Sequence, residues 1–382
     1  PTRRSSDLNV GTIYGIFIDD LCDSKFISEY IFKPLIQYKI DTVNLEYIKK
    51  EILPANSIGD VKDDDDAIYH VLSGDLVLVF SFTNKSFYCE AKGYVRRSVG
   101  IPVTESVIKG PREGFTEAFV DNVSLIRRKI KDPSLKFETV ILGSKSNTVI
   151  VICYIEGVAP NKLVDYIRKK VTNIKLEFIL DTNYIEEALK NKNTPFDTIG
   201  TTEKPDVAAS KLLEGKVGII VDGTPFVITA PYFFIDNFQT PDDYYSNKYF
   251  ANTLRIIRLV SFFLAYLLSG LYLAISTFHF ALLPTVITLR LASSRAGVPM
   301  PTVIELLLMT FFFQLLREAG IRLPQSIGQA MSIVGALILG DAAVGAGIAS
   351  QSTIVIVALS SISSFLVPKI YSAIARSEER RG

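Results

Sequence analysis

Leu259–Leu289 reads LVSFFLAYLLSGLYLAISTFHFALLPTVITL, 31 residues without one Asp, Glu, Lys or Arg. A bilayer core needs about 20 helical residues at about 1.5 Å each, so this run predicts a transmembrane helix. Pro284 is expected to end or kink it, because proline lacks the N–H that the helix ladder needs. Three weaker spans follow: Thr302–Leu316, Ser326–Ala349 and Thr353–Val367. The first and last are short for a full crossing, so one is expected to be re-entrant or to share packing with its neighbours.

Upstream of this run the composition changes. Before Phe250 the chain reads as a mixed polar region; after Leu254 charges almost vanish. A mean hydropathy of +0.28 is high for a soluble protein, and the uneven spread locates the apolar excess in the last third. At 382 residues the chain is too long for one ordinary domain. Its 41 Lys+Arg against 40 Asp+Glu leave +1, so no global basic field exists to hold nucleic acid by its phosphates. With 48% hydrophobic and 21% charged residues it is not a disordered chain. Cys22, Cys89 and Cys153 lie far apart with no CxxC, which argues against a zinc site or a disulfide scaffold and suggests a reducing compartment. His70 and His279 are the only histidines, leaving little room for His-based catalysis. No cofactor and no metal is expected.

The two ends are set aside. Pro1–Leu8 looks like a translated sequencing-adapter oligonucleotide and Arg376–Arg381 like the same oligonucleotide read on the opposite strand, the alternative being a basic N-terminal arm and a charged C-terminal tail. The chain is therefore expected to be a fragment truncated on both sides. Between the ends, the expected division is a soluble subdomain over 9–109, a second over 110–245, and a truncated transmembrane region over 246–375.

In the first subdomain Val10–Ile18 suits a buried strand and Ser24–Gln37 carries helical spacing. Asp75–Phe82 and Ser86–Gly93 flank a polar turn and predict a β-hairpin. Asp63–Asp66 lacks the Gly and Glu of a calcium loop, so an acidic solvated loop is the expectation. Gly110-Pro111 opens the second subdomain, with a helix expected from about Phe115 to Ile130. The basic cluster Arg127, Arg128 and Lys129 suits that helix's C-terminal dipole; equally, Arg112, Arg127 and Arg128 could form interdomain or intersubunit ion pairs with Glu113 and Glu117. Leu135–Leu142 and Thr148–Ile155 read as strands joined by Gly143–Asn147, a hairpin turn rather than a phosphate cradle. Pro160–Ile174 and Asp206–Leu213 read as helices, and Val217–Val221 as a strand. The expected fold is an α/β (α+β) soluble region of two subdomains followed by an all-α transmembrane helical region. The Asp- and Tyr-rich stretch Asp236–Tyr245 reads as the connector.

Polar groups inside the weaker spans carry the functional signal. Thr310, Gln314 and Arg317 lie on one helical stripe, with Glu305 facing elsewhere. Gly328, Ser332, Ala336 and Gly340 recur at i+4 and permit close helix packing. Asp341 follows within an apolar run; a carboxylate at mid-bilayer costs about 2.5–3.5 kcal/mol on insertion scales. It should face a neighbouring helix or a watery pathway rather than lipid. Lys248, Arg255 and Arg258 favour a cytoplasmic soluble half, but Arg290 and Arg295 follow the first span and balance them.

In order along the chain, several runs resemble the A subunit of spore germinant receptors, the GerA family. They are Gly110–Glu117 with Asn122–Arg128, Thr202–Asp206, Leu213–Gly215 with Val221–Phe226, and Asp242–Tyr244. In the membrane half they are Leu283–Thr285, Ser294–Pro299, Arg317–Pro324 and Ile333–Gly340 with Ala342–Val344. The resemblance implies a subunit of the endospore inner membrane with its soluble part on the core side. It further implies a transporter-like B subunit and a lipoprotein C subunit as partners, and a homo-oligomer, a pentamer by analogy, acting as a nutrient-gated cation channel. The chain departs from the family's acidic residues at Thr310 and Gln314, from Gln and Glu at Asp341 and Gly345, and from a proline near Ser269. Three functions are thus carried forward: a channel subunit, a non-conducting scaffold that relays a partner's signal, and a membrane enzyme, for which no nucleophile–base set stands in the sequence.

Overall fold

The computed structural model describes residues 2–8, 11–18, 21–37, 45–53, 58–83, 85–93, 97–102, 104–105, 107, 109–191, 194, 196–322, 335 and 338–366. The chain divides into two compact units, Pro1–Arg97 and Ser98–Gly382. The division precedes the Gly110-Pro111 boundary, because the residues in between bond to the second unit: Gly100 O accepts from Gly114 N–H at 2.8 Å, and Thr104 N–H reaches Glu203 Oε2 at 3.1 Å.

The first unit is built on a five-stranded antiparallel sheet. Its strands are β1 (Thr2–Leu8), β2 (Gly11–Phe17), β3 (Ile58–Asp60), β4 (Asp75–Phe80) and β5 (Ser86–Glu90), in the order β1-β2-β4-β5-β3. The expected hairpin is β4–β5, registered from Asp75↔Glu90 to Val79↔Ser86. Ile13, Phe17, Leu76, Leu78, Phe87 and Cys89 form a core with Ile27, Ile31, Leu35, Ile48 and Ile52 from two helical segments. Asp63–Asp66 departs from the expected loop. Asp63 caps the helix Asp64–Leu72 by accepting from Asp66 N–H at 2.8 Å, and the other three aspartates fill its first turn. Acidic side chains there complement the positive end of the helix dipole.

In the second unit a sheet lies between two helical layers. It contains β6 (Leu135–Leu142), β7 (Thr148–Ile155), β8 (Gly200–Thr202), β9 (Val217–Val221) and β10 (Val227–Ala230), in the antiparallel order β6-β7-β9-β10-β8. Strand side chains alternate between faces. Ile150, Ile152, Val217, Ile219 and Val221 therefore meet the helices Asn161–Thr172 and Thr182–Leu189. Val151, Cys153, Ile220 and Val227 meet Phe119–Lys129 and Pro205–Leu213 on the other side. Burial on both faces explains why β9 is an uninterrupted apolar run. The turn Gly143–Asn147 joins β6 to β7 with positive φ at both ends (87° and 46°), which Gly and Asn tolerate.

The helix Phe119–Lys129 starts later than the sequence suggested. Phe115 N–H is already committed to Glu203 O at 2.8 Å, and Thr116 N–H to the Asn122 side chain at 2.8 Å.

A helical region follows. The long helix Lys248–Thr277 has 30 residues, about 45 Å at about 1.5 Å per residue. Among the described residues it is the one helix long and apolar enough to cross a membrane. It begins before the uncharged run and stops inside it. Phe278 closes it, Phe280–Leu282 makes one 3₁₀ turn, and Pro284 caps the next helix, Thr285–Ser294. Proline there suits a helix start, while the residue before it is pushed away from helical geometry. Two further helices are Thr302–Arg322 and Gln351–Phe365; residues 338–345 are also helical.

Candidate functional site

The connector between the sheet and the long helix carries two heavily bonded carboxylates. Asp236 sits in the 3₁₀ turn Phe234–Phe238 and accepts from Lys216 Nζ at 2.6 Å, Lys211 Nζ at 3.1 Å and its own Phe233 N–H at 2.8 Å. Lys211 belongs to the helix Pro205–Leu213, so this carboxylate fastens the connector to the helical layer. Further along, the Asp243 side chain has 0% exposure and accepts from Arg258 Nη1 at 2.8 and 2.9 Å and Arg255 Nε at 3.1 Å. Arg258 also donates to Phe238 O at 3.0 Å and Thr240 Oγ1 at 2.9 Å. Both arginines stand on the long helix, so Asp243 ties its foot to the connector. Burial pushes both carboxyls up. Lys216 and Lys211 at Asp236, and Arg258 and Arg255 at Asp243, outweigh it and hold both below the usual aspartate range.

The same place gathers runs that are distant in sequence. Tyr245 OH donates to Asp206, and Lys204 Nζ, wholly buried, donates to Pro111 O at 2.6 Å. Gly110 has φ +121°, and a Cβ there would stand 2.6 Å from the Tyr245 ring. Gly223 N–H reaches Glu117 O at 2.8 Å, and the Asp222 carboxylate accepts from Phe119 N–H at 3.1 Å. The runs Gly110–Glu117, Thr202–Asp206 and Val221–Phe226 thus form one connected patch, joined by Tyr245 just after the run Asp242–Tyr244. Sequence reasoning marked Asp236–Tyr245 as a connector, with Asp242–Tyr244 as one of the family runs, and Arg255 and Arg258 as orientation charges. The missed signal was the pairing of buried acids with arginines one helical turn apart.

The residues singled out from sequence fall into three places. Arg128 and Lys129 both bond Glu113, which Lys129 in particular holds below the usual carboxyl range. Arg127 lies over the Phe137 ring at 4.8 Å and donates to Asp132 O; Arg112 and Glu117 are exposed. Among the membrane candidates, Thr310 and Gln314 are exposed on the helix Thr302–Arg322, and Arg317 lies over the Phe365 ring at 5.9 Å. Asp341 is exposed on the helical stretch 338–345. Gly340 faces the helix Gln351–Phe365, where an added Cβ would stand 3.9 Å from Ile354. Gly328, Ser332 and Ala336 lie outside the described residues.

Glu305 behaves differently. It has 0% exposure; Oε1 accepts from Ser350 N–H, and Oε2 has no hydrogen-bond partner among the described residues. Ser350 caps the helix Gln351–Phe365 and joins a hydroxyl cluster with Ser352, Thr353, Tyr272 and Ser294, spaced 3.0–3.4 Å. A carboxylate beside a helix N-terminus is favoured by the dipole.

The family described as Bacillus/Clostridium GerA spore germination protein matches residues 4–377. The chain belongs to this family. It is 39% identical over 363 residues to spore germination protein KA of Bacillus subtilis, covering 94% of this chain and 67% of that protein. It is 37% identical to the uncharacterized membrane protein YfkQ of the same organism (94% and 71% covered) and 34% identical to its spore germination protein A1 (93% and 73% covered). Among solved structures, the N-terminal domain of the A subunit of the Bacillus megaterium spore germinant receptor GerK3 matches at 30% identity, covering 61% of this chain and 88% of that one. The TM-score of that match is 0.27.

Proposed function

We propose that this chain is the A subunit of a nutrient germinant receptor in the endospore inner membrane, a homo-oligomer whose copies enclose a cation pathway. Its α/β region lies on the core side. A transporter-like B subunit senses the nutrient, and a lipoprotein C subunit completes the receptor. One observation carries the conducting part of this reading: Thr310, Gln314 and Asp341 are exposed on helical segments whose other exposed residues are largely apolar. Facing lipid, Asp341 alone would cost about 2.5–3.5 kcal/mol; facing sister copies around water, all three are solvated. The Asp243 junction supplies the coupling, since a shift of the connector pulls on the foot of the long helix.

Glu305 favours a second reading for its own part of the membrane region. Its enclosure against Ser350 is a helix-pairing contact, the kind a non-conducting scaffold would use throughout. Potassium flux from liposomes carrying the full-length A, B and C subunits separates the two. Nutrient-triggered flux is expected, reduced severalfold by Asp341→Asn combined with Gln314→Ala and Thr310→Val. Unchanged flux in that variant removes these residues from the pathway, and an assembled receptor that passes no potassium favours the scaffold.

A further inference from the structure

We infer that the connector around Phe233–Ile235 is an interfacial anchor, seating the α/β region on the lipid surface at the foot of the long helix. This rests on the reading that Lys248–Thr277 crosses a bilayer. Large apolar side chains here are turned outward: Phe196 is 46% exposed, Phe233 57%, Phe234 43% and Ile235 59%. Scattered exposed apolar residues need no explanation, but these adjoin one another and an apolar helix. Phe196 packs edge-on to Phe234 at 5.3 Å, and Phe234 packs on Phe262 of the long helix at 5.6 Å. Phe238 closes the cluster against the same ring at 5.7 Å.

Phe262 fixes the depth. Arg258, one turn earlier, is the last charged residue before the uncharged run and is tied to Asp243 outside it. Phe262 therefore stands about one turn inside the apolar stretch, about 6 Å along the axis. A side chain stacked on it lies at the boundary between headgroups and acyl chains. Interfacial segments place Phe and Leu side chains at that level, their apolar faces buried about 5–10 Å into it.

The backbone permits such a position. Exposed peptide groups would be costly near hydrocarbon, and this turn pairs several of its own. Phe233 N–H bonds the Asp236 side chain, Asp236 N–H bonds Phe233 O, and Phe234 O accepts from Asn237 Nδ2 at 3.0 Å. The two lysines bonded to Asp236 hold the turn in place, and Lys216 Nζ also lies over the Phe233 ring at 5.4 Å. Lipid is the favoured occupant because the patch runs on into the exposed helix face at Phe263 and Leu267, which the bilayer itself would cover.

The protein contains no tryptophan, so single substitutions report on one site each. The test places Phe233→Trp, Ile235→Trp or Leu271→Trp in the full chain, reconstituted in phosphatidylcholine–phosphatidylglycerol vesicles with lipid brominated near the headgroup or near the chain end. Trp at 233 and 235 is expected to emit in the blue and to lose most of its emission to the shallow bromolipid, less to the deep one. Trp at 271, on the exposed side of the long helix, should be quenched as well. Quenching at 271 with red, unquenched emission at both connector sites overturns the anchor alone. So does blue but unquenched emission there, which would put a second copy of the chain over the patch. No quenching at 271 overturns the membrane-crossing reading, and the anchor with it.

Discussion

Asp243 receives two hydrogen bonds from a single nitrogen of Arg258, at 2.8 and 2.9 Å, with its carboxylate wholly shielded from solvent. Fifteen residues separate the two in sequence, and the pair spans the change from connector to long helix. Removing one partner of such a buried pair strands the other charge and costs about 3–5 kcal/mol. Asp243→Ala is expected to lower the thermal unfolding temperature of the purified protein markedly. Asp243→Asn, which keeps the shape and some of the hydrogen bonds, should fall between it and the parent.

Acid should loosen the same junction. Asp236 and Asp243 both titrate below the ordinary aspartate value of 3.8 when folded. A group with a depressed folded pKa adds stability that is complete above its unfolded pKa and lost as pH falls through the folded one. The unfolding temperature should therefore hold as pH falls towards 3.8 and drop below it as far as these two groups are concerned. Asp243→Asn should show a shallower acid limb. An equally steep limb in that variant would assign the loss to other carboxylates.

Gly110 should resist replacement. At φ +121° with the Tyr245 ring so close, a methyl group meets both backbone strain and a clash. Gly110→Ala is expected to destabilise by roughly 1–3 kcal/mol, measured by denaturant unfolding. Tyr245→Ala removes the clash but not the strain, so the double variant should recover part of the loss.

Glu305 offers a separable pair of substitutions. Glu305→Gln keeps an oxygen for Ser350 N–H, whereas Glu305→Ala leaves that donor buried and unpaired, at about 1–3 kcal/mol. The alanine variant should thus unfold well below the glutamine variant in detergent. Similar melting for the two would mean that the carboxylate's charge, not its acceptor, is what the site uses.

The thiols report on both sheets. Burial pushes Cys89 and Cys153 up to about 12, and the thiolate is the reactive form. Near neutral pH neither should alkylate in the folded protein, and both should label quickly once denaturant opens it; mass spectrometry of labelled peptides checks this residue by residue.

Much of the fold was legible because it rests on local patterns. The β4–β5 hairpin was visible as two apolar runs around a polar turn, and β6, β7 and β9 as β-branched stretches. The long helix was found but misplaced. A search for uncharged residues skips Lys248, Arg255 and Arg258, although the last two continue the helix once Asp243 neutralises them. The four-aspartate run was misread because a helix start and an acidic loop share a composition, and only Asp63 accepting from Asp66 N–H separates them. The junction was least legible of all. An Asp- and Tyr-rich segment looks solvent-facing until Arg255 and Arg258, 12 and 15 residues after Asp243, and Lys211 and Lys216, 25 and 20 residues before Asp236, are brought against it.

The meeting of Gly110, Asp206 and Tyr245 has an evolutionary consequence. No one of these positions is free to drift alone: a side chain added at 110 needs a smaller ring at 245, and a different residue at 245 leaves the acid at 206 without its hydroxyl. Across related chains the three should change in concert, giving a covariation signal between segments separated by most of a domain.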